Sequence, residues 1–156
     1  RDPEAALIEL AAIEQLEPEV DEIFMGNVYP ARDLLGIAKA LLAGEVAYRA
    51  GDAASAVLAF EEAVALQDAL PYTEPPFWHY PTRQSLGAAL LASDKAAEAQ
   101  AVFEKDLEQY PMNGWSMFGL AEALRRQGDE IGAKRVMARF ETVWQFADVS
   151  LATSIL

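Results

Sequence analysis

Residues 114–147, GWSMFGLAEALRRQGDEIGAKRVMARFETVWQFA, lie directly over the 34 residues before them, 80–113, YPTRQSLGAALLASDKAAEAQAVFEKDLEQYPMN. A third copy stands at 37–70, IAKALLAGEVAYRAGDAASAVLAFEEAVALQDAL. A small residue recurs at Gly44, Gly87 and Ala121. A turn pair follows at Gly51-Asp52, Asp94-Lys95 and Gly128-Asp129. A second small residue falls at Ala56, Ala99 and Ala133, and a large apolar one at Phe60, Phe103 and Met137. Self-similarity at a fixed period of this size marks a chain built from stacked supersecondary units. The apolar periodicity on either side of each turn pair is helical, so the unit is helix-turn-helix and the fold class all-α. Small residues let two antiparallel helices approach, which pairs Gly44 with Ala56, Gly87 with Ala99 and Ala121 with Ala133. The large residues fill the space between turns. Gly51 and Gly128 suit a left-handed helix stop, and Asp52 and Asp129 can cap the helix that follows. Pro111 ends the second helix of the middle copy. Asp94 stands where the other copies have glycine, a position aspartate tolerates better than most residues. Asp106 and Glu141 stand where small or apolar residues are expected.

These positions resemble the tetratricopeptide repeat. The resemblance implies an α-solenoid of antiparallel helix pairs in a right-handed superhelix, with about three 34-residue repeats plus an N-terminal helix. It also implies that the first helices of the pairs line a concave face that binds a protein or peptide. On that face stand Leu41, Glu45 and Tyr48 in the first repeat, Gln84, Ser85, Ala88 and Leu91 in the second, and Trp115, Phe118, Gly119 and Glu122 in the third. Some members of the family hold a peptide's C-terminal carboxylate with lysine, asparagine and arginine. The matching positions here are Leu41, Glu45, Ser85, Trp115 and Gly119, none basic and none asparagine, which disfavours that use. The remaining face is apolar, aromatic and mildly acidic, suited to a peptide with apolar anchors and basic flanks. The candidate peptide-binding residues are Leu41, Glu45, Tyr48, Trp78, Gln84, Ala88, Trp115, Phe118 and Glu122.

A narrower resemblance, over roughly 31–156, is to the C-terminal end of a group of larger bacterial tetratricopeptide proteins. Glu74, Pro75, Pro76, Trp78, Tyr80, Pro81, Arg83, Ser85, Leu86 and Gly87 match its insertion and following helix, and Asn113, Gly114, Trp115 and Ser116 match its Asn-Gly-Trp-Ser. It implies that further repeats could lie upstream and transfers no catalytic residue.

The first two copies are out of step. Gly44 and Gly87 are 43 residues apart, whereas Gly87 and Ala121 are 34 apart. The extra nine residues are 71–79, the bulk of YTEPPFWHYP (72–81), which carries four aromatics, three prolines and the sole histidine. Pro75 and Pro76 forbid a continuous helix there. Tyr72, Phe77, Trp78 and Tyr80 can fold back and pack, with some rings beside the groove as the sharper alternative. Pro81 is expected to open the next helix. The chain then divides, as one domain over 1–156, into an N-terminal packing helix and loop (1–30), repeat 1 (31–70), insertion (71–79), repeat 2 (80–113), repeat 3 (114–147) and a C-terminal tail (148–156). The first helix runs from Pro3 to Leu16, with Leu7, Ile8, Leu10, Ala11 and Ile13 expected on the side that packs against repeat 1. Residues 17–30 read as a loop or short helix. The tail reads as an extended segment on the last repeat.

Composition narrows the chemistry. The chain has 156 residues, no cysteine and a net charge of −13. Residues 1–34 carry nine acids and two bases, and 81–156 carry ten acids and eight bases. Such a chain repels phosphate backbones and anionic lipid, so neither nucleic acid nor membrane is expected as a partner. Thiol catalysis and cysteine-ligated zinc are excluded. His79 stands alone, whereas imidazole metal sites usually need two or three. Ser85 has no triad motif around it, Glu61-Glu62 point about 100° apart on a helix, and no glycine-rich phosphate loop is present. The expectation is therefore no catalytic residue, no cofactor and no metal. The reading is a non-catalytic interaction scaffold, with a structural or self-associating segment of a larger repeat protein as the alternative. The compartment stays open between cytoplasm and periplasm.

Overall fold

The computed structural model describes residues 3–16, 20 and 30–155, with side chains from residue 5 onward. The described residues form seven helices and no strand: α1 (Pro3–Leu16), α2 (Ala31–Arg49), α3 (Ala53–Ala69), α4 (Arg83–Ala92), α5 (Ala96–Gln109), α6 (Gly114–Arg126) and α7 (Glu130–Trp144). They fall into two compact units, Arg1–Thr82 and Arg83–Leu156. In each, helices adjacent in the chain pack against one another. The expected loop or short helix at 17–30 lies, apart from Val20 and Pro30, outside the described residues.

In the first unit α2 packs on α3 and α1 on α2. Helix α2 buries Ile37, Ala40, Leu41 and Gly44 at the i, i+3, i+4, i+7 spacing of a single face. Helix α3 answers with Ala56, Val57, Phe60 and Ala63. The ring of Phe60 lies over Gly44: a Cβ on Gly44 would stand 2.4 Å from the ring. On α1 the half-buried positions are Ala6, Leu10 and Ile13, and Glu14 pairs with Lys39 of α2 at 3.9 Å. Of the expected packing side, only Leu10 and Ile13 are shielded. Leu7 and Ile8 are 52% and 65% exposed, because at 100° per residue they sit on the neighbouring stripe.

The second unit stacks two hairpins, α4–α5 and α6–α7, with α5 against α6 and α4 also touching α6. Helix α4 is buried from Gln84 through Leu91, all around its axis, and α6 nearly so. Helices α5 and α7 each bury one stripe, Ala99, Phe103 and Asp106 on α5, and Gly132, Ala133, Val136 and Phe140 on α7. Phe103 lies between two glycines from different hairpins. A Cβ on Gly87 would meet its ring at 2.3 Å, and one on Gly119 at 2.2 Å. In the third repeat Ala121 and Met137 hold the corresponding positions, and Met137 is half-buried.

All three hairpins turn in the same way. Gly51, Asp94 and Gly128 have φ of 81°, 58° and 84°. In each turn the next residue's N–H returns to the carbonyl five residues back: Asp52 to Ala47 (2.9 Å), Lys95 to Leu90 (2.9 Å) and Asp129 to Leu124 (3.0 Å). The left-handed residue itself donates to the carbonyl three back, to Tyr48, Leu91 and Arg125. This is the Schellman stop, and its last residue serves at once as the N-cap of the next helix. Asp52 accepts from Ser55 N at 3.0 Å, and Asp129 from Gly132 N at 2.8 Å. Lys95 makes no side-chain cap. The middle turn thus carries a non-glycine residue at positive φ and an uncapped helix start. Changing Asp94→Gly together with Lys95→Asp should raise the unfolding free energy by about 1–2 kcal/mol, read as a higher denaturation midpoint with unchanged slope.

Helix α5 ends at Gln109, before Pro111, as the proline requires. Helix α4 begins at Arg83, two residues later than the start expected at Pro81. The reason is local. Gln67 of α3 binds the chain there, accepting from Thr82 N (2.9 Å) and Thr82 Oγ1 (2.8 Å) and donating to the Tyr80 carbonyl (3.1 Å). That clamp fixes Thr82, which is fully buried, outside the helix.

Candidate functional site

The 71–79 insertion is irregular throughout. It leaves α3 at Leu70 in an extended conformation and is pinned at its far end by Gln67. Thr73 Oγ1 donates to the Pro75 carbonyl at 3.0 Å, and the Tyr72 hydroxyl to the Glu74 carboxylate. Phe77, Trp78 and Tyr80 are half-buried. Trp78 and His79 rings stand 5.1 Å apart, and His79 and Tyr80 rings 4.9 Å apart. Tyr72 does not fold back: it is 84% exposed, its hydroxyl spent on Glu74 at the surface. The Trp78 Nε1–H is shielded and has no hydrogen-bond partner. His79 is exposed, and among the described residues no group of three or more His, Cys, Asp or Glu side chains could hold a metal ion.

The candidate helix-face residues divide between the units. In the first, Leu41 is buried at 5% exposure and belongs to the hairpin core. Glu45 is half-buried and accepts from Arg49 Nε one turn on, at 3.1 Å. Tyr48 is half-buried. In the second, Gln84 and Ala88 are only 2% and 3% exposed. Trp115 and Phe118 are half-buried against α7, where Trp115 meets Trp144 edge-on at 4.8 Å and Phe118 meets Phe140 at 5.8 Å. Glu122 accepts from Arg126 Nε (2.9 Å) and Arg125 (3.2 Å). The Arg126 hydrogen bond, followed by that from Arg125, holds its carboxyl below the usual range. The acidic character expected of this face is therefore met inside the chain: both glutamates have arginine partners on their own helices. What remains half-open is aromatic, namely Tyr48 and Trp78 in the first unit and Trp115 and Phe118 in the second.

A polar network lies beside these residues that the sequence marked only as a departure. Asp106 is fully buried. Its Oδ2 accepts from Ser116 Oγ (2.6 Å) and Asn113 Nδ2 (2.7 Å). Asn113 Nδ2 also reaches Gln84 Oε1 at 3.1 Å, and Asn113 Oδ1 caps α6 by accepting from Trp115 N at 3.1 Å. Burial pushes the Asp106 carboxyl up, against the lowering pull of Ser116, Asn113 and the Arg83 charge. Its Oδ1 is buried without a hydrogen bond.

The C-terminal segment also reaches this place. Trp144 Nε1 donates to the Val149 carbonyl at 2.8 Å, which ties the start of the tail to α7. Its tip goes further: Ser154 Oγ donates to the Gln84 carbonyl at 3.3 Å, across 70 positions of sequence. Nothing in the composition of VSLATSIL signals that destination.

Among the described residues no helix is long and apolar enough to cross a membrane. Comparison with protein-family models, with curated proteins and with solved structures yields no significant match.

Proposed function

We propose that this chain is a non-catalytic scaffold of tetratricopeptide-type hairpins in an α-solenoid, which binds a protein or peptide through the first helices of its repeats, α2, α4 and α6. The observation that carries this reading is the threefold recurrence of one device. In each hairpin a small residue, a left-handed stop seven residues later and a large apolar residue sixteen residues later stand at the same spacing, closed by the same Schellman hydrogen bonds. Repeats of this kind exist to extend a binding surface. The aromatic residues Tyr48, Trp115 and Phe118 are its anchors, with Trp78 as packing first and groove second, and the rings of Tyr48 and Trp115, which have a polar tip, suit partly wet contacts.

A defined peptide library displayed against the full chain tests this. Ligands with apolar anchors should be retained, and Tyr48→Ala should weaken them about tenfold, the loss of one aromatic anchor of about 1.4 kcal/mol. A library with no retained ligand would sink the proposal. Trp78→Ala separates packing from recognition. It should cost about 2–3 kcal/mol in stability, because a half-buried ring loses its contacts. Unchanged stability with lost ligand would instead assign the ring to the groove.

A second reading has one observation behind it. Leu7, Ile8 and Leu16 leave an apolar surface on α1, at 52%, 65% and 53% exposure, which suits a structural, self-associating role. Light scattering of the chain and of Ile8→Asp decides it: a monomer in both removes this reading.

A further inference from the structure

The C-terminal tail is held at its base and its tip. Residues 145–150 are all exposed, with Phe146 at 91%. After this bare stretch Ser154 and Ile155 are 2% and 8% exposed. Thr153 Oγ1 accepts from Ile155 N at 3.1 Å and fixes the local bend. Ser154 Oγ uses the second lone pair of the Gln84 carbonyl, in the first turn of α4. Residues 149–156 carry no charge. The docking place is therefore matched to a neutral segment with a hydroxyl directly before a β-branched aliphatic residue.

Two further facts bear on this end of the unit. Gln84, one of the residues expected to meet a ligand, meets the chain's own tail. Through Asn113 it is also joined to Asp106, whose buried Oδ1 makes no hydrogen bond. Buried acceptors are normally satisfied, so the network beside the tail's docking place holds one acceptor to spare.

We propose that the start of α4 is a peptide-docking site that the chain fills with its own residues 149–155, and that a foreign polypeptide enters by offering an uncharged segment with a hydroxyl residue directly before a large aliphatic one, bent there as residues 152–154 are. The tail is a tethered competitor. Tethering through a short exposed linker gives it an effective concentration on the order of millimolar, so a segment in trans binds weakly until the tail leaves. This deepens the scaffold reading and rests on it for the idea that the face serves a partner.

The test uses the full chain and a fluorescent peptide VSLATSIL as probe, with a scrambled peptide as control. In the double variant Ser154→Arg, Ile155→Asp, two charged side chains cannot enter the buried site. That variant should bind the probe at least about tenfold tighter than the wild-type chain, and the scrambled peptide should not compete. A folded double variant that prefers neither peptide overturns the proposal. The milder pair Ser154→Ala, Ile155→Ser should show the same order of affinities, and it carries the test if the charged pair disturbs folding. A concentration-dependent wild-type dimer that the double variant loses would make the occupant a second copy and overturn the foreign-segment assignment. A chain that takes library peptides on its aromatic anchors but not the probe sinks this inference alone. A chain that takes the probe but no library peptide sinks the scaffold reading and leaves the docking site standing.

Discussion

Phe103→Ala should lower the unfolding free energy by roughly 4 kcal/mol, the largest loss expected from any single truncation in the chain. Phe103 is fully buried and is the common wall of two hairpins, since its ring covers both Gly87 and Gly119. Removing it opens one cavity against two helices, and neither can collapse without breaking its contact with the other. At roughly 2–4 °C per kcal/mol for a chain of this size, the melting temperature should fall by about 10 °C or more. The glycines give a sharper form of the test. Gly87→Ala in the wild type drives a methyl to within 2.3 Å of the ring and should cost about 1–3 kcal/mol. In the Phe103→Ala background the clash is gone and only the better helix propensity of alanine remains, worth up to about 1 kcal/mol. The same substitution should then be neutral or stabilising. Additive losses in the double mutant would show that the ring and the glycine are not packed as described.

The second large effect is at Asn113. One side chain caps α6, donates to the buried carboxylate of Asp106 and donates to Gln84. Asn113→Ala should cost about 1 kcal/mol for the cap and a further 1–3 kcal/mol, roughly, for taking donors from buried acceptors. The loss should depend on pH, with a sign fixed by Asp106. Burial raises its carboxyl in the folded chain, so the folded chain binds the proton more tightly than the unfolded one. The stability tied to this group is then fully present below the ordinary carboxylate range. It is lost as pH rises through the raised folded value. Asn113 supplies one of the hydrogen bonds that lower that value, so removing it pushes the carboxyl up again and extends the loss to higher pH. Urea unfolding at about pH 5 and about pH 8 should show a larger deficit for Asn113→Ala at the higher pH, where the carboxyl is the more ionised. In the Asp106→Asn background that difference should disappear. An equal deficit at both pH values would contradict the account of Asp106.

The turns were the most legible part of the molecule. Gly51-Asp52 and Gly128-Asp129 announce a left-handed stop and a cap within two residues, and Asp94 could be assigned to the same geometry because the period places it there. The helix limits at Pro3, Leu16 and Gln109 follow from proline and from apolar spacing in the same local way. The glycine contacts were only half legible. The repeat shows that one position is small and another large, and it suggests that small meets small. In the folded chain a phenylalanine covers the glycine, because a ring projecting from the second helix reaches across the gap that an alanine leaves open. That Phe103 also covers Gly119 of the next hairpin involves a residue sixteen positions further along, outside the pattern of its own repeat.

The candidate site divides along the same line. Helix period, stop residues, caps and the proline breaks are set by interactions within about five residues, so the order of residues alone settles them, and with them the all-helical hairpin plan. Which positions stay open to a ligand is settled by groups arriving from far away. Gln84 is claimed by Asn113, 29 residues on, and by Ser154, 70 residues on. Asp106 is tolerable in a core only because Asn113 and Ser116 turn toward it. Side chains that meet over such separations leave no period or motif behind, so these contacts become visible only once the helices have packed.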